Sequence, residues 1–438
     1  MVTYGTTAIP SDQITVLSGG TVSVSAAFEN SVGLIGGMDV PSGNATAGDV
    51  TTVSSSTDAA TKFGEDSELH EAVQLAFQNG AGTIYALPVP EKSVTTETQT
   101  TQGGVLDNAP VFDPRVNEEH SITATDTGAG DANVNLVDEP PTSAPSTADQ
   151  IDVYPPTGEY FADSAPDGDY EFDYDYGDYS VSAVKPLLDE SPRIVTLLGE
   201  STSAANDIVG ELNSRATNFD FMHLVTGATV NVDPASYTDG VDERRMSLVY
   251  PSRGYTDAAE TNEERTSAAV AGELASLALG LSSTNNSLGG FSALKNSIGG
   301  PTSAGDLIDA QVMPLLDYPP TTIIKDMTTS TEPKFERVYG MQIIDEAAEL
   351  SHIISREFIG NQNTVANRTA LQRSHRNAYI SITDASIPLL DGYEVSVEQD
   401  SADANTVNID IGLDVVDVMD TIDVTITVGD IVRSGGAT

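Results

Sequence analysis

Residues 67–89 read SELHEAVQLAFQNGAGTIYALPV, and this run decides the fold. Leu69, Val73, Ala76 and Phe77 recur at helical spacing, so a helix from about Ser67 to Asn79 has one apolar face. Ser67 suits the N-cap, and Gly80 suits the left-handed terminator. The period then changes. Thr83–Val89 (TIYALPV) is a nearly continuous apolar run, the pattern of a strand buried on both faces. Upstream, Val32–Ile35 is a shorter run of the same kind, ending at Gly36-Gly37. Strand, helix and strand make a βαβ unit.

The same order returns later. Arg193–Leu198 (RIVTLL) reads as a strand, Ala204–Ala216 as a helix with Ile208 and Leu212 inward, and Phe219–Val225 (FDFMHLV) as a strand. Two such units imply a partly parallel sheet covered by helices. Met246–Tyr250 adds a strand, Glu263–Leu279 an Ala- and Leu-rich helix, residues 282–305 a Gly/Ser/Asn loop, and Thr321–Lys325 a further strand. The longest helical pattern runs from Tyr339 to Phe358, with Ile343, Ala347, Leu350 and Ile354 on one face; a second helix spans about Thr364 to Tyr379.

Residues 91–190 differ in kind. They hold 22 acidic and 3 basic residues and 9 of the chain's 22 prolines, which favours turns and short strands over helices. Within them, Asp169 to Tyr176 (DYEFDYDY) alternates acid and aromatic, the mark of a strand with an aromatic inner face and an acidic solvent face. The chain ends are β-like too. Val22, Val24 and Ala26 alternate with polar residues, as do Val407, Ile409, Ile411, Leu413 and Val415, and then Ile422, Val424, Ile426 and Val428. The expected class is therefore α/β (α+β): a mixed sheet core covered by helices, extended β-arms at both termini, and an inserted β-rich outer domain. The expected division is an N-terminal arm over 1–30, a first part of the core over 31–90, the acidic insertion over 91–190, the rest of the core over 191–415, and a C-terminal arm strand over 416–438.

Composition narrows the function. The 438 residues carry 19 basic and 66 acidic side chains, a net charge of −47. Phosphate contacts need cations, so nucleic-acid binding and docking on an anionic membrane are both disfavoured. There is no cysteine, which excludes disulfides, thiolate metal sites and cysteine nucleophiles. The start, MVTYGTTAIP, shows no secretory pattern, and no apolar run reaches the roughly 18–20 residues needed to span a bilayer. A chain with this charge repels itself in dilute buffer, whereas at molar salt the Debye length falls to about 3 Å. A protein built for a highly saline cytoplasm is the simplest reading; binding a cationic partner or calcium is the other.

A search for chemistry returns little. Gly33-x-x-Gly36-Gly37 follows a strand but lacks dinucleotide spacing, and there is no phosphate loop or nucleophile elbow. His70, His120, His223, His352 and His375 stand far apart, with His70 and His352 expected at the surface or near caps. Asp173-x-Asp175-x-Gly177-Asp178 lacks the ligand ladder of a calcium loop and reads better as a solvated strand. No catalytic residue, cofactor or metal is expected. One stretch stands out: between Ser351 and Ile380 lie Arg356, Arg368, Arg373 and Arg376, with Glu357 the only acid. These arginines either form intrachain ion pairs or face an acidic partner.

The order of segments resembles that of contractile tail sheath proteins, from tailed viruses or related injection machines. The matching residues are Val32-Gly-Leu-Ile-Gly-Gly, Val50–Ser54, Phe63-Gly64, the helix Leu69–Phe77, Asn79-Gly80 and the strand Thr83–Val89. Further on come Leu248-Val249-Tyr250-Pro251, the helical Ser267–Gly272, Thr322–Asp326, the helices around Arg356 and Arg373, and the closing run Asp414–Val428. The resemblance implies a structural subunit without enzymatic activity. It implies a homo-polymer wound helically around an inner tail tube, with baseplate and tail-terminator proteins as further partners and no direct nucleic acid or membrane insertion. Localisation would be the virion tail, assembled in the host cytoplasm at high salt, for instance in a virus of a halophilic archaeon. Val22, Val24, Ile422, Val424, Ile426 and Val428 would lie in inter-subunit arm strands, while Arg356, Arg368, Arg373 and Arg376 would touch the tube or a neighbour. A haloarchaeal surface-layer-like protein and a halophilic α/β enzyme are the alternatives.

Overall fold

The computed structural model describes residues 30–38, 43–65, 67–108, 111, 121–137, 141–155, 158–199, 202–228, 242–260, 262–295, 298, 301–317, 320–383 and 388–417. Val22, Val24, Ile422, Val424, Ile426 and Val428, with the rest of both proposed arms except Asn30, Val416 and Asp417, lie outside the described residues.

The chain enters through β1 (Ser31–Gly36), followed by the short edge strand β2 (Thr51–Val53), α1 (Ser56–Phe63), α2 (Glu68–Gln78) and β3 (Thr83–Pro88). The Ser67 hydroxyl accepts from the His70 backbone N–H at 3.2 Å and starts α2; Gly80, at φ 96°, ends it. β1 pairs in parallel with β3, as the βαβ reading requires. The helix α1 was not foreseen: STDAATKF has no long apolar stripe, yet Ser55 caps it and Ala59 and Phe63 anchor it in the core.

From β3 the chain runs into seven strands that pair among themselves. These are β4 (Glu91–Gln99), β5 (Gly103–Val105), β6 (Ile122–Asp126), β7 (Gly130–Leu136), β8 (Gln150–Tyr154), β9 (Glu159–Ala162) and β10 (Tyr170–Gly177). Their order is β4-β10-β6-β7-β8-β9-β5, so the sheet begins and ends on strands consecutive in the chain. Side chains bridge those two edges: Gln99 donates to the Val105 carbonyl at 3.4 Å, and Glu97 accepts from the Asp107 backbone at 2.9 Å. The sheet therefore curls into a small barrel. Its core is aromatic, with Tyr160, Tyr170, Phe172 and Tyr174 buried while Asp173 stays exposed, as the alternation in 169–176 demands. Asp126 clamps two turns together, accepting from the backbone of Asp167 (2.9 Å), Gly128 (2.8 Å), Gly168 (3.2 Å) and Ala129 (3.3 Å).

The strand character ends before residue 190. α3 (Val181–Leu188) buries Val184, Leu187 and Leu188 against the main sheet. After it come β11 (Ile194–Leu197), α4 (Thr202–Ala216), β12 (His223–Gly227), β13 (Met246–Tyr250), β14 (Arg253–Tyr255), β15 (Glu263–Arg265), α5 (Thr266–Ser276), β16 (Ala293–Leu294), α6 (Pro301–Asp309), β17 (Met313–Leu316) and β18 (Thr322–Ile323). Three expectations need correction here. The helix expected over Glu263–Leu279 spans only Thr266–Ser276, because Glu263–Arg265 pairs with β14. Phe219–Met222 are not strand; Phe219 takes φ 65° in the turn that precedes β12. Residues 282–305 are not all loop, because Ala293–Leu294 pairs with Tyr255 and Gly254 and Pro301 opens α6.

The main sheet has the order β18-β17-β13-β12-β11-β1-β3-β2, parallel from β17 to β3 with an antiparallel strand at each edge. Two cores flank it. Val32 and Leu34 face one, with α1, α2 and α5; Ile35 faces the other, with α3, α4 and α6. Gly33 shares the second side, where a Cβ would stand 2.8 Å from Pro192 and 3.0 Å from Leu187, so glycine lets α3 close on the sheet. Each fully buried Leu, Ile or Val contributes roughly 1.5–3 kcal/mol, and both faces are lined with them. A third core is built by α7 (Val338–Phe358), α8 (Val365–Thr383) and the antiparallel ribbon of β19 (Leu390–Gln399) and β20 (Val407–Val415). The result is a mixed α/β fold of several sheets and helices.

Candidate assembly interface

In doubly wound sheets, ligands bind where the strand order reverses, at the carboxyl ends of the strands. Here that crevice lies between β1 and β11, and protein side chains occupy it. Glu68 Oε2 accepts from the Gly37 backbone at 3.0 Å, and its Oε1 accepts from Arg265 Nε at 3.1 Å. A Cβ on Gly36 would meet Leu198 at 2.6 Å. Tyr179 is buried beside them, its phenol pushed up by burial and then by the charge of Glu68. Among the described residues, no group of three or more histidines or acids is placed to hold a metal ion. None of the described helices is long and apolar enough to cross a membrane.

Of the two histidines expected at the surface or near caps, His70 lies at the N-terminal cap of α2 and neither is fully exposed. His70 is buried within α2, 2.7 Å from Gln74 Nε2. His352 is half-buried and stacks on Phe219 at 3.9 Å between ring centroids. His375 is fully buried between the last two helices, with Ser351 Oγ 3.1 Å from its Nε2, and burial lowers its pKa.

The arginine-rich stretch forms the α7–α8 hairpin. Tyr339, Ile343, Ala347, Leu350 and Ile354 turn inward and meet Leu371, Ala378, Tyr379 and Ile382. Tyr379 Oη ties the helices by donating to the Ala347 carbonyl at 2.9 Å. Arg373 and Arg376 are exposed, whereas Arg356 and Arg368 are half-buried. Arg368 donates to Asn363 Oδ1 at 2.6 Å, and Arg376 donates to the Val395 carbonyl at 3.3 Å. Arg373 makes no hydrogen bond or ion pair among the described residues. Two apolar side chains stand bare on either side of the polar tip Asn361–Thr364: Ile359 is 75 % exposed and Val365 71 %. Periodicity could not find those two residues, because they belong to no buried face.

Beside the hairpin lies the ribbon. Its register runs from Leu390↔Val415 to Gln399↔Val407, and among the described residues each strand is paired on one side only. Val407, Ile409, Ile411, Leu413 and Val415 are half-buried on the third core while the intervening residues are exposed. The outer edges keep main-chain donors and acceptors for a further strand. β19 lies outside the expected elements, although Tyr393, Val395 and Val397 alternate with Glu394, Ser396 and Glu398 and pack on the third core.

This fold is similar to that of solved sheath proteins. The chain is similar to the anti-feeding prophage helical sheath in its contracted state (TM-score 0.60, 15 % identity, covering 96 % of this chain and 99 % of that one). It is likewise similar to the sheath of PVC, an extracellular contractile injection system, in its contracted state (0.58, 14 %, 97 % and 98 %). A third likeness is to a sheath tail protein from Desulfitobacterium hafniense (0.53, 11 %, 89 % and 97 %). By its sequence the chain belongs to the DUF2586 family, whose N-terminal domain matches residues 13–289. No curated protein matches it.

Proposed function

We propose that this chain is the repeating subunit of a contractile sheath. It polymerises helically around an inner tube and shortens to drive that tube through a target cell envelope. One observation carries the reading: the fold runs over nearly the full length of subunits found in contracted sheaths. The open ribbon gives the physical means. A terminal arm from a neighbouring copy adds a strand to β19 or β20, and main-chain hydrogen bonds then link subunits into a mesh. Because donor and acceptor surfaces differ, such contacts propagate along a helix instead of closing a dimer. Val22 and Val24, with Ile422, Val424, Ile426 and Val428, supply the arm strands.

Arg356, Arg368, Arg373 and Arg376 face the inner tube or a neighbour. On a chain of net charge −47, these cations are where an acidic surface can approach. Baseplate and terminator proteins bound the polymer, in a saline setting such as the tail of a virus infecting a halophile. The assembly has no catalytic role.

Electron microscopy of the purified chain in molar salt tests the proposal. Hollow tubes with a helical repeat are expected, and uniform small particles at every salt and concentration would overturn it. Deleting residues 421–438 should leave a folded monomer that makes no tubes. Reversing the charge of Arg373 and Arg376 should weaken loading on the tube and leave folding intact.

A further inference from the structure

The long helix α7 is buried on two sides, and the two sides differ in chemistry. Its apolar stripe faces α8 and the ribbon. The stripe toward the main sheet is polar: Gln342, Asp345, Glu346, Glu349 and His352, spaced three or four apart so that they share one face. The core answers with arginines and aromatics. Arg245, just before β13, grips Asp345 through two bonds of 2.5 and 2.7 Å and lies 5.0 Å over the ring of Phe221. Arg193, just before β11, donates to Gln342 Oε1 at 2.5 Å and to the Leu277 carbonyl at 3.1 Å. Phe219, in its left-handed turn, stacks on His352. At the start of α7, Arg337 pairs with the fully buried Asp326 at 2.8 Å.

Two bodies thus meet across a largely charged seam, with Val338 of α7 reaching the first core and Leu279 of the α/β part packing on the third. Parting an apolar interface forfeits hydrophobic burial in proportion to its area. Parting a buried ion-pair seam returns desolvated charges to water, so the net cost is small. Glu346 is the weak point. It is 7 % exposed, and its carboxyl makes no hydrogen bond among the described residues. The charged groups acting on it are Glu349 on its own helix and Arg193 on the core; Asp345, next to it in the chain, acts on Glu349 and is itself held by Arg245, with Arg244 nearby.

We propose that the body formed by α7, α8, β19 and β20 is hinged on the α/β core along this seam, and that a proton on Glu346 keeps the hinge shut. Burial, then Glu349, pushes the Glu346 carboxyl up to about 7, with Arg193 opposing. The closed seam binds this proton more tightly than an open, solvated one does. Closure is therefore favoured below the ordinary carboxylate value and weakens as pH rises to about 7. Loss of that proton adds a negative charge beside the carboxyls of Asp345 and Glu349 on the same face. The device stands apart from the sheath reading, since it is a property of the single chain.

The cysteine-free chain allows a direct test. Cysteines placed at the exposed Asn206 on α4 and Asn377 on α8 carry a donor–acceptor dye pair, read on the full-length monomer in molar salt. One distance is expected at pH 5.5, with a second, longer population growing as pH passes 7. In Glu346→Gln, which stays neutral, the single distance should persist at every pH. Circular dichroism confirms that each sample is folded. A wild-type distance that ignores pH would overturn the proposal, as would a Glu346→Gln chain that opens in step with wild type.

Discussion

Gly272 offers the sharpest single-residue test of the packing. It lies in α5 against α2, where a Cβ would sit 2.4 Å from the Ala76 carbonyl oxygen and 3.0 Å from that residue's C and Cα. Carbon–oxygen contacts of this kind settle at roughly 3.3 Å or more. Gly272→Ala must therefore force the two helices apart by nearly 1 Å, and a backbone atom cannot rotate out of the way. Overpacking of a core costs about 1–3 kcal/mol, and the upper end applies here. Alanine returns about 1 kcal/mol of helix propensity, leaving a net loss of about 2. Gly210, in α4, is the control: nothing lies within 4 Å of its added Cβ, so the same substitution should gain about 0.8–1 kcal/mol. In a domain the size of the α/β core, 1 kcal/mol moves Tm by about 2–4 °C. Scanning calorimetry in molar salt should show Gly272→Ala melting about 4–8 °C lower and Gly210→Ala about 2–4 °C higher. If Gly272→Ala melts at or above the wild-type temperature, the close approach of α2 and α5 is wrong.

Three other outcomes follow from the geometry. Residues 91–177 expressed alone should fold, because Glu91 and Gly177 are partners in register and the barrel has its own core; a disordered product by tyrosine near-ultraviolet dichroism would contradict this. Backbone N–H donors, first that of Asp167, hold Asp126 below its ordinary value of 3.8. The stability it lends is complete above that value and is lost as pH falls through the lower folded one, so the barrel should loosen below pH 3.8, and Asp126→Asn should flatten the acid transition. Arg245→Met strands the half-buried Asp345 and should cost about 3 kcal/mol, the lower end for a broken buried pair, in denaturant titration. Adding Asp345→Leu should recover most of that loss, and no recovery would mean that the pair is not the contact that matters.

Much of the central sheet could be read from residue types. β1, β3, β11 and β13 are apolar runs buried on both faces, and α2 and α7 carry regular stripes. What stayed hidden depends on contacts between distant segments. β16 and β18 are two residues each and exist because an edge is there to receive them. α1 is short and polar, and α6 starts in a run rich in glycine and serine. α3 contains Pro186 yet forms, because its apolar residues find the second face of the sheet. The arginine cluster could be seen in the sequence as a bias in charge. That Arg368 and Arg376 would bond to neutral oxygens could not be seen, nor that Ile359 and Val365 would stand bare on either side of the helical tip. The seam on α7 was hidden for a related reason: a polar stripe on a helix normally faces water, and only tertiary structure shows it covered.

The way the barrel joins the rest of the molecule has an evolutionary side. The chain leaves at Glu91 and returns at Gly177, on neighbouring strands about 4.8 Å apart, where Lys92 and Asp178 close the neck at 2.6 Å. Any module whose ends lie that close can be exchanged at this neck without altering the sheet below. A lineage could change the module there while the main sheet stays constant. For an engineer the same neck is a grafting point for a chosen domain.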